Sequence, residues 1–273
     1  MDDHGTLAER FSALHRPGEP LLQPNAWDLG SARILEAMGF EAIATTSSGF
    51  AATLGRNDYR VSRDEAIEHA RGLAGAVGIP VSADTENGFA DDPEGVATTV
   101  RLAVAAGLAG CSVEDHTGHD DDPIYDLGQA AERIAAAADA AHTGTDRLVL
   151  TARAENHLHG RDDLADTIAR LQAYQAAGAD VLFAPGVIDL DQIRVLVSEL
   201  DRPVNVLALP GCPRVETLGE VGVARISVGG AFAYAALGGL IDAATELRDS
   251  GTFGYWTQVG VARPTISAAF DGR

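Results

Sequence analysis

Eight short apolar runs alternate with eight helical segments along this chain, and that alternation constrains the fold more than any single motif. The runs are residues 20–24, 42–45, 79–83, 111–113, 148–151, 181–183, 204–207 and 226–228. Helical patterns follow them at residues 31–38, 62–78, 93–106, 129–142, 164–177, 193–200, 215–219 and 231–247. Several helix ends are chemically marked. Gly39, Gly107 and Gly178 stand where a C-terminal cap is needed, and Ser62 with Glu65 forms a capping box. Ala106-Gly-Leu-Ala and Ala177-Gly-Ala-Asp lead into their apolar runs in the same way, as does Glu220 less cleanly; a parallel array produces such repeats. An eight-unit count predicts an α/β chain folded as a single-domain (β/α)8 barrel over residues 1–250, with an amphipathic helix before it built on Leu7, Phe11 and Leu14. Residues 251–273 form a tail whose Tyr255 and Trp256 suit either packing on the barrel or contact with a partner.

Charge excludes some functions. With 20 Lys and Arg against 40 Asp and Glu, the formal charge is −20, which opposes nucleic-acid phosphate and anionic membrane. No membrane-length apolar stretch and no signal-peptide pattern are present, so a cytoplasmic protein is expected. Cys111 and Cys212 lack any metal-binding or disulfide spacing and read as two reduced thiols.

Barrel enzymes carry their chemistry where strands run out into βα loops. Here those positions hold Asn25, Trp27 and Asp28, then Ser47, Ser48 and Gly49, then Asp84 and Glu86. Later strands add Glu114, Asp115 and His116, then Arg153, Glu155 and His157, and finally Asn205. Asp84, Glu86 and Glu114 would raise one another's pKa without a cation. Magnesium, with manganese as a substitute, would relieve that repulsion and offer an octahedral site to a 2-oxo acid; the alternative is that each carboxylate caps a helix. Nothing in the His and Cys spacing suits zinc. Arg153 offers two parallel donors to a substrate carboxylate, or else a salt bridge to the acidic residues. Ser47 and the turn amides through Gly49 could hold a second anionic group, or Ser47 and Ser48 could serve only as a capping pair.

The ordered motifs Leu22-Gln-Pro-Asn-Ala-Trp-Asp28, Ala44-Thr-Thr-Ser-Ser-Gly49, Leu54-Gly-Arg-Asn-Asp58, Val81-Ser-Ala-Asp-Thr-Glu-Asn-Gly88, Val113-Glu-Asp115, Thr151-Ala-Arg153 and Pro203-Val-Asn205 resemble the isocitrate lyase and phosphoenolpyruvate mutase superfamily over nearly the whole chain. The resemblance implies a magnesium-dependent barrel, a dimer or tetramer, often with its terminal helix exchanged between subunits. It implies that Asp84 is the principal metal ligand, with Glu86 and Glu114 acting directly or through water. It implies substrate-carboxylate contacts from Ser47 and Gly49 and a substrate-binding role for Arg153, and it places Asp58 on a mobile loop near the reacting group; Trp27, Ser48 and Asn205, at the same strand-end rim, are expected to complete the substrate contacts. The loop after Glu114 departs from the family's lyases: it reads Asp115-His-Thr-Gly-His-Asp-Asp-Asp-Pro123, without their Lys-Arg-Cys-Gly-His. A cysteine-dependent isocitrate or methylisocitrate lyase mechanism is therefore not expected. The expectation is a carbon–carbon lyase or decarboxylase that acts on a small 2-oxo or 2-hydroxy di- or tricarboxylic acid through a pyruvate-type enolate, with Asp58, His116 or a metal-bound water moving the proton and Arg153 and Glu114 completing the site. Carbon–phosphorus chemistry on phosphonopyruvate and a non-catalytic 2-oxo-acid-binding barrel are the alternatives.

Overall fold

Pro24 divides the first strand into two pieces that close the sheet on itself. Leu21–Gln23 (β1) pairs in parallel with Arg225–Ser227 (β9), whereas Asn25–Ala26 (β2) pairs in parallel with Ile43–Thr45 (β3). The Pro24 carbonyl still accepts from the Ala44 amide at 3.0 Å, so the missing N–H costs only one donor at the seam. Between the seams run Val81–Asp84 (β4), Gly110–Glu114 (β5), Val149–Arg153 (β6), Val181–Phe183 (β7) and Val204–Leu207 (β8), each parallel to its neighbours. The computed structural model describes residues 6–144 and 147–271, so the extreme ends of the expected domain and tail lie outside the described residues.

The helices are Leu7–Ala13 (α1), Leu29–Ala37 (α2), Ser47–Thr53 (α3), Arg63–Ala76 (α4), Pro93–Ala105 (α5), Leu127–His142 (α6), Leu164–Ala176 (α7), Leu190–Glu199 (α8), Val215–Glu220 (α9), Ala231–Thr245 (α10) and Trp256–Phe270 (α11). With the strands they make the (β/α)8 barrel that the alternation predicts. The main core lies between sheet and helices, where Val81, Val113, Leu150, Leu182 and Val206 meet Ile67, Val100, Ile134 and Leu171. The Ser62–Glu65 capping box forms as expected. Ser47-Ser-Gly49, which reads as a turn, is instead the first turn of α3, with the Thr46 hydroxyl accepting from the Gly49 amide at 3.3 Å.

Helix α1 closes the N-terminal end of the barrel. Phe11 packs with Leu21, Ala42, Ala109, Val149 and Val181, all at or beside strand starts. Gly110 makes room for it: a Cβ there would lie 2.7 Å from the Phe11 ring and 2.9 Å from the Val149 carbonyl. Past the helix, His15 is buried with its Nδ1–H donated to the Phe11 carbonyl at 2.8 Å and its Nε2 accepting from Arg225 at 3.1 Å. Burial first, and then the Arg225 charge, push the imidazole down from 6.5 to about 3. The unfolded chain takes up this proton near 6.5 and the folded chain only near 3, so the folded state loses stability as pH falls through that window. His15→Gln keeps an acceptor for Arg225 and removes the titration. Its thermal midpoint declines less steeply on acidification than the wild type's, and parallel curves in a pH series would remove His15 as a source of acid lability.

At the other end of the chain, α10 is apolar on nearly every side yet exposes Phe232, Tyr234, Leu240 and Ile241. Helix α11 returns to pack along α2, and exposes Trp256 and Val261. Among the described residues no helix is long and apolar enough to cross a membrane.

Candidate active site

Residues at the C-terminal ends of β4, β5 and β6 converge on Arg153. Parallel register sets Glu114 beside Arg153, and Asp84 ends the next strand over. The guanidinium reaches three carboxylates: Asp84 at 3.1 Å, Glu114 at 3.0 Å and Glu155 at 2.7 Å. The Phe183 ring lies 5.4 Å from its carbon. Of the two alternatives open for Arg153 the salt bridge forms, and the same side chain also lines a cavity of about 220 Å3 with Ser47, Ser48, Asp58, Asp84 and Asn205.

Each carboxylate is held differently. The second oxygen of Asp84 accepts the Ser47 amide at 3.1 Å, an N–H left free by the first turn of α3, while the Asp84 amide donates to Thr45 Oγ1 at 2.9 Å. Glu114 also accepts from the Tyr59 hydroxyl at 2.6 Å. Tyr59 holds a φ of 57°, a left-handed conformation that a bulky side chain rarely adopts, so the loop carrying Asp58 is folded over the rim under strain. Burial raises Glu114 and Glu155 above the ordinary carboxylate range while Arg153 pulls both back; Arg153 itself is held firmly charged by Glu114, Glu155 and Asp84 against its burial.

Among the described residues Glu86 has no such side-chain partner. It is buried, with φ 48°, and burial followed by the charges of Asp84 and Asp58 pushes its carboxyl up to about 8. Asp58 is raised as well, first by burial, with the Ser47 hydroxyl opposing the shift. One guanidinium thus faces an excess of carboxylate, all of it hard oxygen. The expected trio of Asp84, Glu86 and Glu114 does not form a closed ligand set: among the described residues no three His, Cys, Asp or Glu side chains converge as metal ligands. The reason is that Glu114 is turned to Arg153 and Tyr59, and Asp84 is shared between Arg153 and Ser47. The donors fit magnesium only in its usual mode, with one or two carboxylates and the remaining positions filled by water and substrate oxygens.

The sequence profile described as phosphoenolpyruvate phosphomutase matches residues 11–248. The chain belongs to this family. Its fold superposes on a candidate lyase/mutase from Burkholderia cenocepacia J2315 with a TM-score of 0.92 and 51% identity, covering 97% of this chain and 95% of that one. An oxaloacetate acetylhydrolase bound to its product oxalate superposes at a TM-score of 0.82 with 26% identity, covering 91% of this chain and 89% of the other. An oxaloacetate decarboxylase from Chromohalobacter salexigens is 28% identical over 89% of this chain and 86% of its own length.

Three expected site residues of this family member lie elsewhere. Trp27 is outside the cavity, because β2 ends at Ala26 and the chain turns out into the Asp28–Ser31 capping box of α2. Its carbonyl accepts from His69 Nε2 at 3.0 Å, and it lines a shallow external depression with Leu29 and Phe50. Asn25 faces inward in its stead, its Oδ1 accepting the amides of Val228 at 3.1 Å and Gly229 at 2.9 Å. Gly49 does not line the cavity, and its amide is already taken by Thr46. His116 is buried behind Glu114, stacked on His159 at 4.0 Å, with neither ring nitrogen hydrogen-bonded and its imidazole pushed down to about 4, first by burial. It does not reach the cavity wall. Conversely, Gln23 and Thr45, which lie inside the quoted motifs without being marked as site residues, and Tyr59 and Arg225, which lie outside every motif, belong to the site or its support.

Proposed function

We propose that this protein is a magnesium-dependent lyase that breaks a carbon–carbon bond in a small 2-oxo or 2-hydroxy di- or tricarboxylic acid, most simply by decarboxylation to a pyruvate-type product. The observation that carries this reading is the Arg153 hub: a charged fork at the wall of a small polar cavity, surrounded by carboxylates in excess. Oxaloacetate chemistry in the two similar proteins named above supports the substrate class.

In this mechanism Asp84 would hold magnesium, with Glu86 and Glu114 acting through water, and the ion would supply Lewis-acid stabilisation of developing negative charge. Arg153 orients the substrate carboxylate through its fork, and Ser47, Ser48 and Asn205 complete the polar wall. As the C3–C4 bond of a 2-oxo dicarboxylate breaks, carbon dioxide leaves and the electron pair passes into the enolate. Asp58, whose carboxyl burial raises, stands at the cavity to return a proton to C3. Tyr59 keeps Glu114 in place and closes the Asp58 loop over the rim.

A panel of oxaloacetate, alkylmalates and phosphonopyruvate with magnesium, read together for pyruvate and inorganic phosphate, tests this directly. Pyruvate without phosphate supports the lyase. Phosphate release instead would support the carbon–phosphorus chemistry named by the family description. Metal-dependent ligand binding without turnover would leave a binding barrel. The exposed apolar sides of α10 and α11 support a further part of the proposal, that residues 251–273 and the preceding helix form contacts in a homodimer or homotetramer.

A further inference from the structure

Beneath Arg153, the same cavity carries a second guanidinium that no part of the proposed mechanism uses. Arg225 begins β9, in register with Asn205 on β8, and is 4% exposed. Its Nε donates to Asn205 Oδ1 at 2.9 Å, Nη1 to His15 Nε2 at 3.1 Å and Nη2 to Thr151 Oγ1 at 3.0 Å. Every one of these acceptors is neutral, since His15 stays unprotonated. Among the described residues no carboxylate forms an ion pair with Arg225, although Asp84, Glu114 and Glu155 all crowd onto Arg153.

A buried cation without a counter-ion is costly, and chains retain one chiefly where an anion arrives to complete it. Burial, and then the Arg153 charge, hold the Arg225 guanidinium down to about 9, which leaves it charged at neutral pH. Its position is specific. Thr151, which it touches, lies two residues before Arg153 on the same side of β6, about 6–7 Å back along the strand, so Arg225 enters the cavity on the strand-start side of Arg153. Only two of its five N–H groups remain after the three neutral acceptors are served, enough for one carboxylate.

We infer that Arg225 is the specificity-determining residue that receives the distal carboxylate of a dicarboxylic substrate at the floor of the cavity. The inference rests on the lyase reading, which seats the 2-oxo or 2-hydroxy end against Arg153 at the rim and directs the second carboxylate towards the floor. It makes the pocket select a dicarboxylic acid over an acid of equal length that ends in a methyl group.

The test compares malate with 2-hydroxybutanoate, which differ only in that distal carboxylate, by calorimetric titration of the full chain in magnesium. Wild type binds malate at least about 30-fold more tightly. Arg225→Gln brings the two affinities within about 3-fold of each other by weakening malate far more than 2-hydroxybutanoate, while Arg225→Lys retains part of the preference. A merely structural arginine would instead weaken both ligands equally or lower only the thermal midpoint, and that result overturns the inference. Equal affinities in wild type, or no malate binding, overturn it even if a variant does not fold. Malate preference that depends on Arg225 in a protein that turns over no acid would sustain the inference and reject the lyase, whereas pyruvate release with the preference intact in Arg225→Gln does the opposite.

Discussion

Arg153→Met lowers the stability of the folded protein by about 3–5 kcal/mol, the scale for removing one partner from a buried ion pair. Asp84, Glu114 and Glu155 lose the cation they share, and two of them are almost fully buried. For a domain of this size the thermal midpoint falls by about 5–9 °C. The loss depends on pH with a definite sign. Without Arg153 the folded carboxylates titrate even further above the unfolded range than burial already places Glu114 and Glu155. A raised carboxyl pKa stabilises the fold below the unfolded value and ceases to do so as pH rises through the folded value, so the variant is closest to wild type in mild acid and diverges towards neutral pH. Thermal melts across that range check the effect; a constant gap would mean that the carboxylates are not what Arg153 serves.

Asp84→Asn acts on turnover more than on the fold. Asparagine offers a single acceptor oxygen where Asp84 uses two, one for Arg153 and one for the Ser47 amide. Arg153 keeps Glu114 and Glu155, so the thermal midpoint shifts by only a few degrees. On the proposed mechanism, magnesium affinity drops and pyruvate formation slows by about a thousandfold, the scale of lost electrostatic stabilisation of a developing enolate. Magnesium titration and steady-state kinetics on the same preparation separate the two effects. Unchanged metal affinity would remove Asp84 as a ligand, and turnover near the wild-type rate would remove it from the site altogether.

Much of the rim was legible because strand ends are marked locally. Asp84, Glu114 and Arg153 each close a strand, and short apolar runs state their own limits. Local pattern failed where a side chain's direction depended on where the strand stopped. Trp27 follows Asn25 by two residues, yet β2 ends between them and sends it outside. His116 follows Glu114 by two residues as well, and is taken up by a stack with His159 from a different loop. Ser47-Ser-Gly49 reads as a turn because small polar residues suit both turns and helix starts, and only the Thr46 cap decides between them.

Sequence alone determined the barrel, its strand order and the ring of carboxylates, because strand–helix periodicity and strand-end chemistry are properties of neighbouring residues. Tertiary structure alone decided which charges meet. The gathering of three carboxylates on Arg153, the reach of Tyr59 to Glu114 across 55 positions, and the pairing of Arg225 with His15 across 210 depend on sheet closure. Coulomb and desolvation energies follow distance and burial in space, and neither is written in the spacing of residues along the chain.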